Sequence, residues 1–555
     1  MKELLAHLLP IAAPAGILPV VAAIALLRPG WFGRPAQWWI VVESGWRALA
    51  RRPWMAALAL CLLQLSGVAV RWTVAGIPAP HVHDEFSYLL AGETFASGRL
   101  TNPTHPMWVH FESPHIIQVP SYTSFYPPGQ AIALAAGFLL GNPWIGVVLS
   151  TLLMILLIYW AARQWLSPFW ALPAGVFGLC LVLGTYWTDT YWGGALNAAA
   201  GALVTGAAGV LRRRPSAWHL TLFAAGAVLC AVTRPFEGLV LTMLLSMWLF
   251  WRTVRKGPAV LRAYIRRSLP AVVLLAASAG AFCYYNYRVT GQPLTMPYSE
   301  GARQYVARRK FLFQKDPPNP VYRHKELADV YIGLRRTDQS PYWRVFGNLI
   351  TLNGIYLSMP LLPLFLASVA LALSGWRTNL RPLILTAAAG VAAILTIPWI
   401  NPHYYAPFAA ALIVAAVAPL RLLRAMRTSG ARPGWIVVAA AVCLLAARGA
   451  VNITKEAAGP NPYSLWGVER QTMEQRLAST HQLHLVLVRY DRGHNWHREW
   501  VYNHADIDAA PVVWAREMDP AHNARLLDYF KSRQVWLLEA DANPPRLSAY
   551  PAPPR

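Results

Sequence analysis

The sequence predicts an α-helical polytopic membrane protein of about twelve spans, followed by a small C-terminal α/β lobe. Three observations carry this. Of 555 residues, 56% are hydrophobic and only 13% are charged, too few charges to cover a water-soluble body of this size. Continuous apolar runs near the length that crosses roughly 30 Å of hydrocarbon recur before Asn452. They are unlike the weak alternation of barrel strands. After Asn452 the pattern changes to short, alternating, β-branched stretches.

The first run, residues 4–27, is preceded only by Lys2 and followed by Arg28 and Arg34. That asymmetry favours a retained span over a cleaved signal. Residues 38–49 are expected along the cytoplasmic interface. Further spans are expected at 54–70, 143–162, 168–187, 191–211, 219–233, 238–251, 270–287, 349–373, 383–400, 405–420 and 435–452. Basic clusters such as Arg212-Arg213-Arg214 alternate with turns poor in Lys and Arg, so one orientation satisfies nearly every loop. It places segments 76–142 and 288–345 outside. The second is basic, which a long loop tolerates. Residues 130–141 are apolar but make only about 18 Å of helix, which predicts a re-entrant or interfacial element.

Beyond 452, strands are expected at 484–490, 510–517 and 533–541. A helix is expected at 519–530, opened by Asp519 and Pro520. That order implies at least one parallel crossover. The chain thus divides into an N-terminal span with a cytoplasmic segment (1–53), a transmembrane body (54–452) and an extracytoplasmic α/β lobe (453–555). A proline-rich tail covers 544–554.

The net charge of +24 would suggest nucleic acid on a soluble chain. Here the basic residues follow span ends, so nucleic-acid binding is excluded. The five cysteines all lie in apolar runs and read as small hydrophobes.

The chemistry gathers at the outer turns. "HVHDEFSYLLAGE" (81–93) places Asp84 and Glu85 just beyond a span, where carboxylates are costly and by default functional. The bland alternative makes Asp84 a helix N-cap. "SFYPPGQ" (124–130) is a rigid aromatic-proline segment ahead of the 130–141 helix. "TDTYWGG" (188–194) adds Asp189, "TRPFEG" (233–238) adds Arg234 and Glu237, and "NPHYYAPF" (401–408) adds His403 and Tyr404. Interfacial aromatics are ordinary singly; polar groups at four outer turns suggest one composite site.

Asp84-Glu85 in the first outer loop, Tyr126-Pro127-Pro128 before a re-entrant helix, and the many-span body together resemble the GT-C superfamily of membrane glycosyltransferases. The chain is most similar to the protein O-mannosyltransferase and lipid A aminoarabinose transferase group, over residues 54–420. The resemblance implies an enzyme that moves a sugar from a polyprenyl-phosphate donor to an acceptor hydroxyl on a protein, lipid or glycan. It makes Asp84 the catalytic base with Glu85 in support. The expected location is a bacterial inner membrane, with the site on its extracytoplasmic face. A leaving lipid phosphate wants cations. Arg234 is one candidate; Arg303, Arg308, Arg309 and Lys310 of the second outer loop are others, unless they serve surface ion pairs with Glu300, Asp316 and Glu326. Tyr126, His403 and Tyr404 would complete the donor site. The 4–27 span and the C-terminal lobe have no counterpart in the resemblance.

Histidines leave a metal open. His81 and His83 are a candidate pair for a divalent ion, near His105, His110, His115 and Glu112; no cofactor is required by the motifs. A second group, His494, His497 and His504, lies beside Asp491 and Glu499, with His494 and His497 on one face if that stretch is helical. Trp496, Trp500, Tyr502 and Trp514 are either sugar-stacking rings or the core of the lobe. The alternative to a transferase is a transporter or lipid flippase, but no repeat and few mid-span charges support that.

Overall fold

The computed structural model describes residues 20–32 apart from 26, together with 37–182, 185–336, 347, 362–374, 378–398, 400–425, 434–457 and 465–550. Most of the 4–27 span, the first part of the 349–373 span and the end of the proline-rich tail fall outside the described residues.

Among the described residues, six helices are long and apolar enough to cross a membrane: Pro53–Ala75, Pro143–Trp165, Gly194–Leu211, Pro235–Arg255, Leu269–Thr290 and Pro402–Ala425, the last opening with a 3-10 turn. Shorter apolar helices include Gly129–Leu139, Pro168–Val182, Ala217–Ala231 and Arg381–Ile394. The chain is therefore an integral membrane protein. The segment expected along the interface contains the helix Gln37–Ala50.

Several boundaries move. The span expected at 54–70 runs on to Ala75, so Arg71 lies inside the helix and not beyond it. The span expected at 168–187 stops at Val182, and a separate four-residue turn, Tyr186–Asp189, follows. The long basic loop is largely ordered by two helices, Pro297–Tyr305 and Lys325–Arg336.

The Gly194–Leu211 helix is almost wholly buried, and its alanines and glycines explain why. Small residues let backbones approach where no hydrophobic effect drives helices together. At Gly201 an added Cβ would stand 1.9 Å from the Pro407 carbonyl oxygen. The Pro53–Ala75 helix is the opposite case, turning Leu58, Leu62 and Leu63 outward to lipid.

Residues 102–124 form a small sheet. Strand β3 (Ser121–Ser124) pairs antiparallel with β1 (Asn102–Pro103) and β2 (Ile116–Ile117) on its two sides. The C-terminal sheet has the order β5-β4-β6-β7, with β4 at His484–Arg489, β5 at Val512–Arg516, β6 at Gln534–Glu539 and β7 at Arg546–Ala549. β4 runs parallel to both β5 and β6, and β7 returns antiparallel. The expected parallel crossover is present, carried by the helix Pro520–Tyr529 with Asp519 as N-cap. In this lobe two elements were not anticipated: the helix Leu465–Ala478, and β7 within the segment read as tail.

Alternation along these strands builds two cores. Leu485, Leu487, Val513 and Ala515 point to one face and join Phe86, Leu90, Phe111 and Tyr122 of the 76–142 segment. Val486, Val488, Val512 and Trp514 point to the other and join Trp500 and Leu477. The C-terminal sheet is thus packed directly onto the loop that carries Asp84.

Candidate functional site

The helix that carries the acidic pair is His83–Ala96, and its N-cap is Val82, in extended conformation. Glu85, at the third helical position, turns back. Its Oε1 accepts the N–H groups of His81 and Val82, each at 3.2 Å. Its Oε2 accepts the Tyr191 N–H at 3.0 Å. Glu85 is fully buried; burial pushes its carboxyl above the usual range, with His81 and these N–H groups pulling the other way. It acts as a clasp joining three segments.

Asp84 is consequently relieved of the N-cap role that the sequence allowed it. It lies inside the first turn, where the helix dipole favours a carboxylate. It is half-buried, and its Oδ1 accepts the Tyr126 hydroxyl. Tyr126 stacks on Tyr88, with ring centroids 4.6 Å apart. Burial first, and the Asp84 charge second, hold the Tyr126 hydroxyl well above the ordinary phenol range, so it remains a donor.

These roles separate under mutation. Glu85→Gln keeps an acceptor for residues 81 and 82 but sets an amide NH2 against the Tyr191 N–H. Leaving that buried donor unpaired should cost about 1–3 kcal/mol of stability, read as a lower melting temperature. If Asp84 is the reactive member of the pair, activity should survive better than in Asp84→Asn; an equal loss would put Glu85 in the same role.

The Tyr126-Pro127-Pro128 segment is pinned to a second turn by Gly129. Its N–H donates to the Val232 carbonyl at 2.7 Å, and a Cβ there would meet Thr233 Cγ2 at 2.4 Å. Only glycine permits that approach, and the next residue after Thr233 is Arg234. The Arg234 guanidinium lies over the Tyr404 ring, 3.7 Å from its centroid. Its Nε stands 3.7 Å from Glu237 Oε1, beyond hydrogen-bond length. Nε and Nη2 are both buried without a hydrogen-bond partner among the described residues. A pocket opens beside them, lined in part by Tyr88, Gln130, Thr233 and His403. His403 Nδ1 is likewise buried and unpartnered. The Asp84 and Arg234 charges both act on Tyr88 and Tyr298. Carboxylate and guanidinium therefore flank one aromatic cluster.

The other candidates divide. Arg308 acts on Tyr298 and Tyr404, and Lys310 lies 5.7 Å from the Tyr298 ring centroid. Arg303 is exposed and grips Glu300 through two bonds, of 2.5 and 3.1 Å, as the ion-pair alternative foresaw. Arg309 donates its backbone N–H to Asp316. Asp189 is paired with Arg71 at 2.5 Å. Tyr88, Gln130 and Tyr298 were not singled out from the sequence. For Tyr88 a signal existed, since it follows Asp84 by four positions on one helical face.

The histidines do not all gather at one point, although His83 packs beside His115 and His497, with ring centroids 6.1 and 6.3 Å away. His81 lies by Glu85, at 3.5 Å. His83 is buried with Nδ1 on the Tyr502 hydroxyl, and burial first, then the neighbouring His115, lowers it to about 3. His105 meets Asp508 and His110 meets the Arg516 carbonyl. His494 is held by Asp541, and the stretch around it is turn, not helix. Among the described residues no group of three or more His, Cys, Asp or Glu side chains is arranged to hold an ion. Trp500, Tyr502 and Trp514 are buried in the lobe, which decides for core. Trp496 is half-buried, packed beside Tyr331 and against His83.

The arrangement is a bundle of apolar helices whose polar turns meet beside a carboxylate in the first turn of a helix. Among solved structures the chain is similar to the oligosaccharyltransferase of Archaeoglobus fulgidus in complex with Zn and sulfate. The TM-score is 0.51 at 11% identity, over 87% of this chain and 68% of that one. ArnT from Cupriavidus metallidurans also matches, in the apo state (TM-score 0.49, 15% identity, 87% of this chain and 93% of that one). So does ArnT bound to undecaprenyl phosphate (TM-score 0.46, 15% identity, 86% and 93%). The likeness to the archaeal enzyme establishes the fold. No protein-family model matches the chain, and the search of curated proteins finds no match.

Proposed function

We propose that the protein is a glycosyltransferase that moves a sugar from a polyprenyl-phosphate donor to an acceptor hydroxyl on the outer membrane face. The observation that carries this is the pairing, across Tyr88, of a half-buried carboxylate with a buried guanidinium whose Nε and Nη2 have no hydrogen-bond partner among the described residues. In the step, the acceptor oxygen bonds to the anomeric carbon as Asp84 takes its proton. The bond from that carbon to the phosphate oxygen breaks, and the electron pair leaves with the lipid phosphate. Arg234 offers Nε and Nη2 to the growing negative charge, in the forked geometry that arginine presents to phosphate. Arg308 and Lys310 add cations at Tyr298. An oligosaccharyltransferase shares the fold, which accords with transfer chemistry.

The donor is tested with purified protein in lipid nanodiscs. Polyprenyl-phosphate sugars should be hydrolysed or transferred, and deletion of the gene should cause one such lipid to accumulate. Turnover of nucleotide sugars alone would overturn the lipid-donor reading. Orientation is tested at Val321, which is 95% exposed in the second long loop. Val321→Cys should react with an impermeant thiol reagent in intact cells. Labelling only after lysis would invert the topology and put Asp84 inside.

A further inference from the structure

A second pocket, of about 250 Å³, lies behind the Asp84 helix. Phe86, Leu89, Leu90 and Glu93 face it. At 3.6 residues per turn these share one side of the helix, opposite the side of Asp84 and Tyr88. The pocket is built in two levels. Its apolar part comes from Ile77, Leu89, Phe138 and Pro143. It adjoins a surface where Ile132, Leu139 and Leu140 are exposed, as side chains facing lipid are. Its polar part comes from the helix Leu465–Ala478, through Arg470, Gln471 and Glu474, and from Asn503 and His504.

The charges of that polar wall cancel. His504 Nδ1 meets Glu93 at 3.0 Å and its Nε2 meets Glu474 at 3.3 Å. Arg470 Nη1 meets Glu474 at 2.8 Å. The hydrogen bonds to Glu474 and Glu93 push the His504 imidazole up to about 10, so it is a cation at neutral pH. Two cations thus face two carboxylates. A phosphate headgroup would meet the carboxylates and an ammonium the cations, each at a cost in a partly dry site. Hydroxyls suffer neither penalty. They can donate to the spare lone pairs of the carboxylates and pair with the Gln471 amide.

We propose that this pocket binds a membrane lipid with an uncharged, hydroxyl-rich headgroup, its chain on the apolar floor and its headgroup against Gln471, Glu93 and Glu474. The site is separate from the donor pocket and does not depend on the chemistry at Asp84.

The test uses the full-length protein in phosphatidylcholine nanodiscs doped with monoglucosyl-diacylglycerol, with bound lipid read by native mass spectrometry. Saturable retention of the glucolipid is expected. Leu89→Trp, which fills the pocket, should abolish it. Gln471→Ala should weaken it about three- to tenfold, the loss of one hydrogen bond. Asp84→Asn should leave it unchanged, which separates this proposal from the catalytic one. Equal retention of phosphatidylglycerol or phosphatidylethanolamine would overturn the proposal. So would full retention in Gln471→Ala, a variant whose rim position keeps the test valid even where Leu89→Trp fails to fold.

Discussion

Asp84→Asn should lower sugar transfer by about 10²–10⁴-fold, the usual cost of losing a general base. The substitution is isosteric, and asparagine still offers an oxygen to the Tyr126 hydroxyl that Asp84 accepts. It removes the negative charge and with it the ability to take a proton. The structural cost is small: a first-turn carboxylate interacts with the helix dipole by about 0.3–1 kcal/mol, and the helix start is held by Glu85 instead. Melting temperature and donor-lipid binding should therefore stay near wild type while turnover collapses. The measurement is single-turnover transfer from a polyprenyl-phosphate sugar, with binding followed separately. Full turnover in the variant would remove Asp84 from the mechanism.

Arg234 should show a comparable loss for a different reason. Removing one pre-organised group that stabilises developing negative charge costs about 10²–10³-fold in rate. Arg234→Gln also strands Glu237, which is buried 3.7 Å from the guanidinium. Breaking a buried pair from one side can cost about 3–5 kcal/mol, so the single variant should lose stability as well. The double variant Arg234→Gln with Glu237→Gln separates the two effects. It should recover the melting temperature and leave the rate defect. Recovery of the rate along with stability would make Arg234 a structural residue. Arg234→Lys should be intermediate, because a point charge replaces the fork over the Tyr404 ring.

Much of the architecture was legible because its physics is local. A hydrophobic run, a proline at a helix start or an Asp-Pro cap acts within a few residues. The helices Gln37–Ala50, Gly129–Leu139 and Pro520–Tyr529 accordingly fall close to their expected bounds. Errors gathered where a partner decides the outcome. Arg71 stands just past the expected end of its span, yet it lies inside the helix and pairs with Asp189, 118 residues away. β7 looked like tail, yet it is a strand because β6 offers an edge. The candidate site divides in the same way. The acidic pair and the Tyr-Pro-Pro segment could be read as chemistry from residue type and position. The division of labour within the pair could not, since it depends on Tyr191 meeting Glu85 and Tyr126 meeting Asp84. Nor could the choice among the cations, because Arg303 and Arg234 differ only in what surrounds them. The sequence by itself determined the membrane class and the segments that carry the candidate reactive groups. The tertiary structure alone decided which of those groups are left unsatisfied and face one another, because hydrogen-bond satisfaction and burial are set by residues distant in the chain.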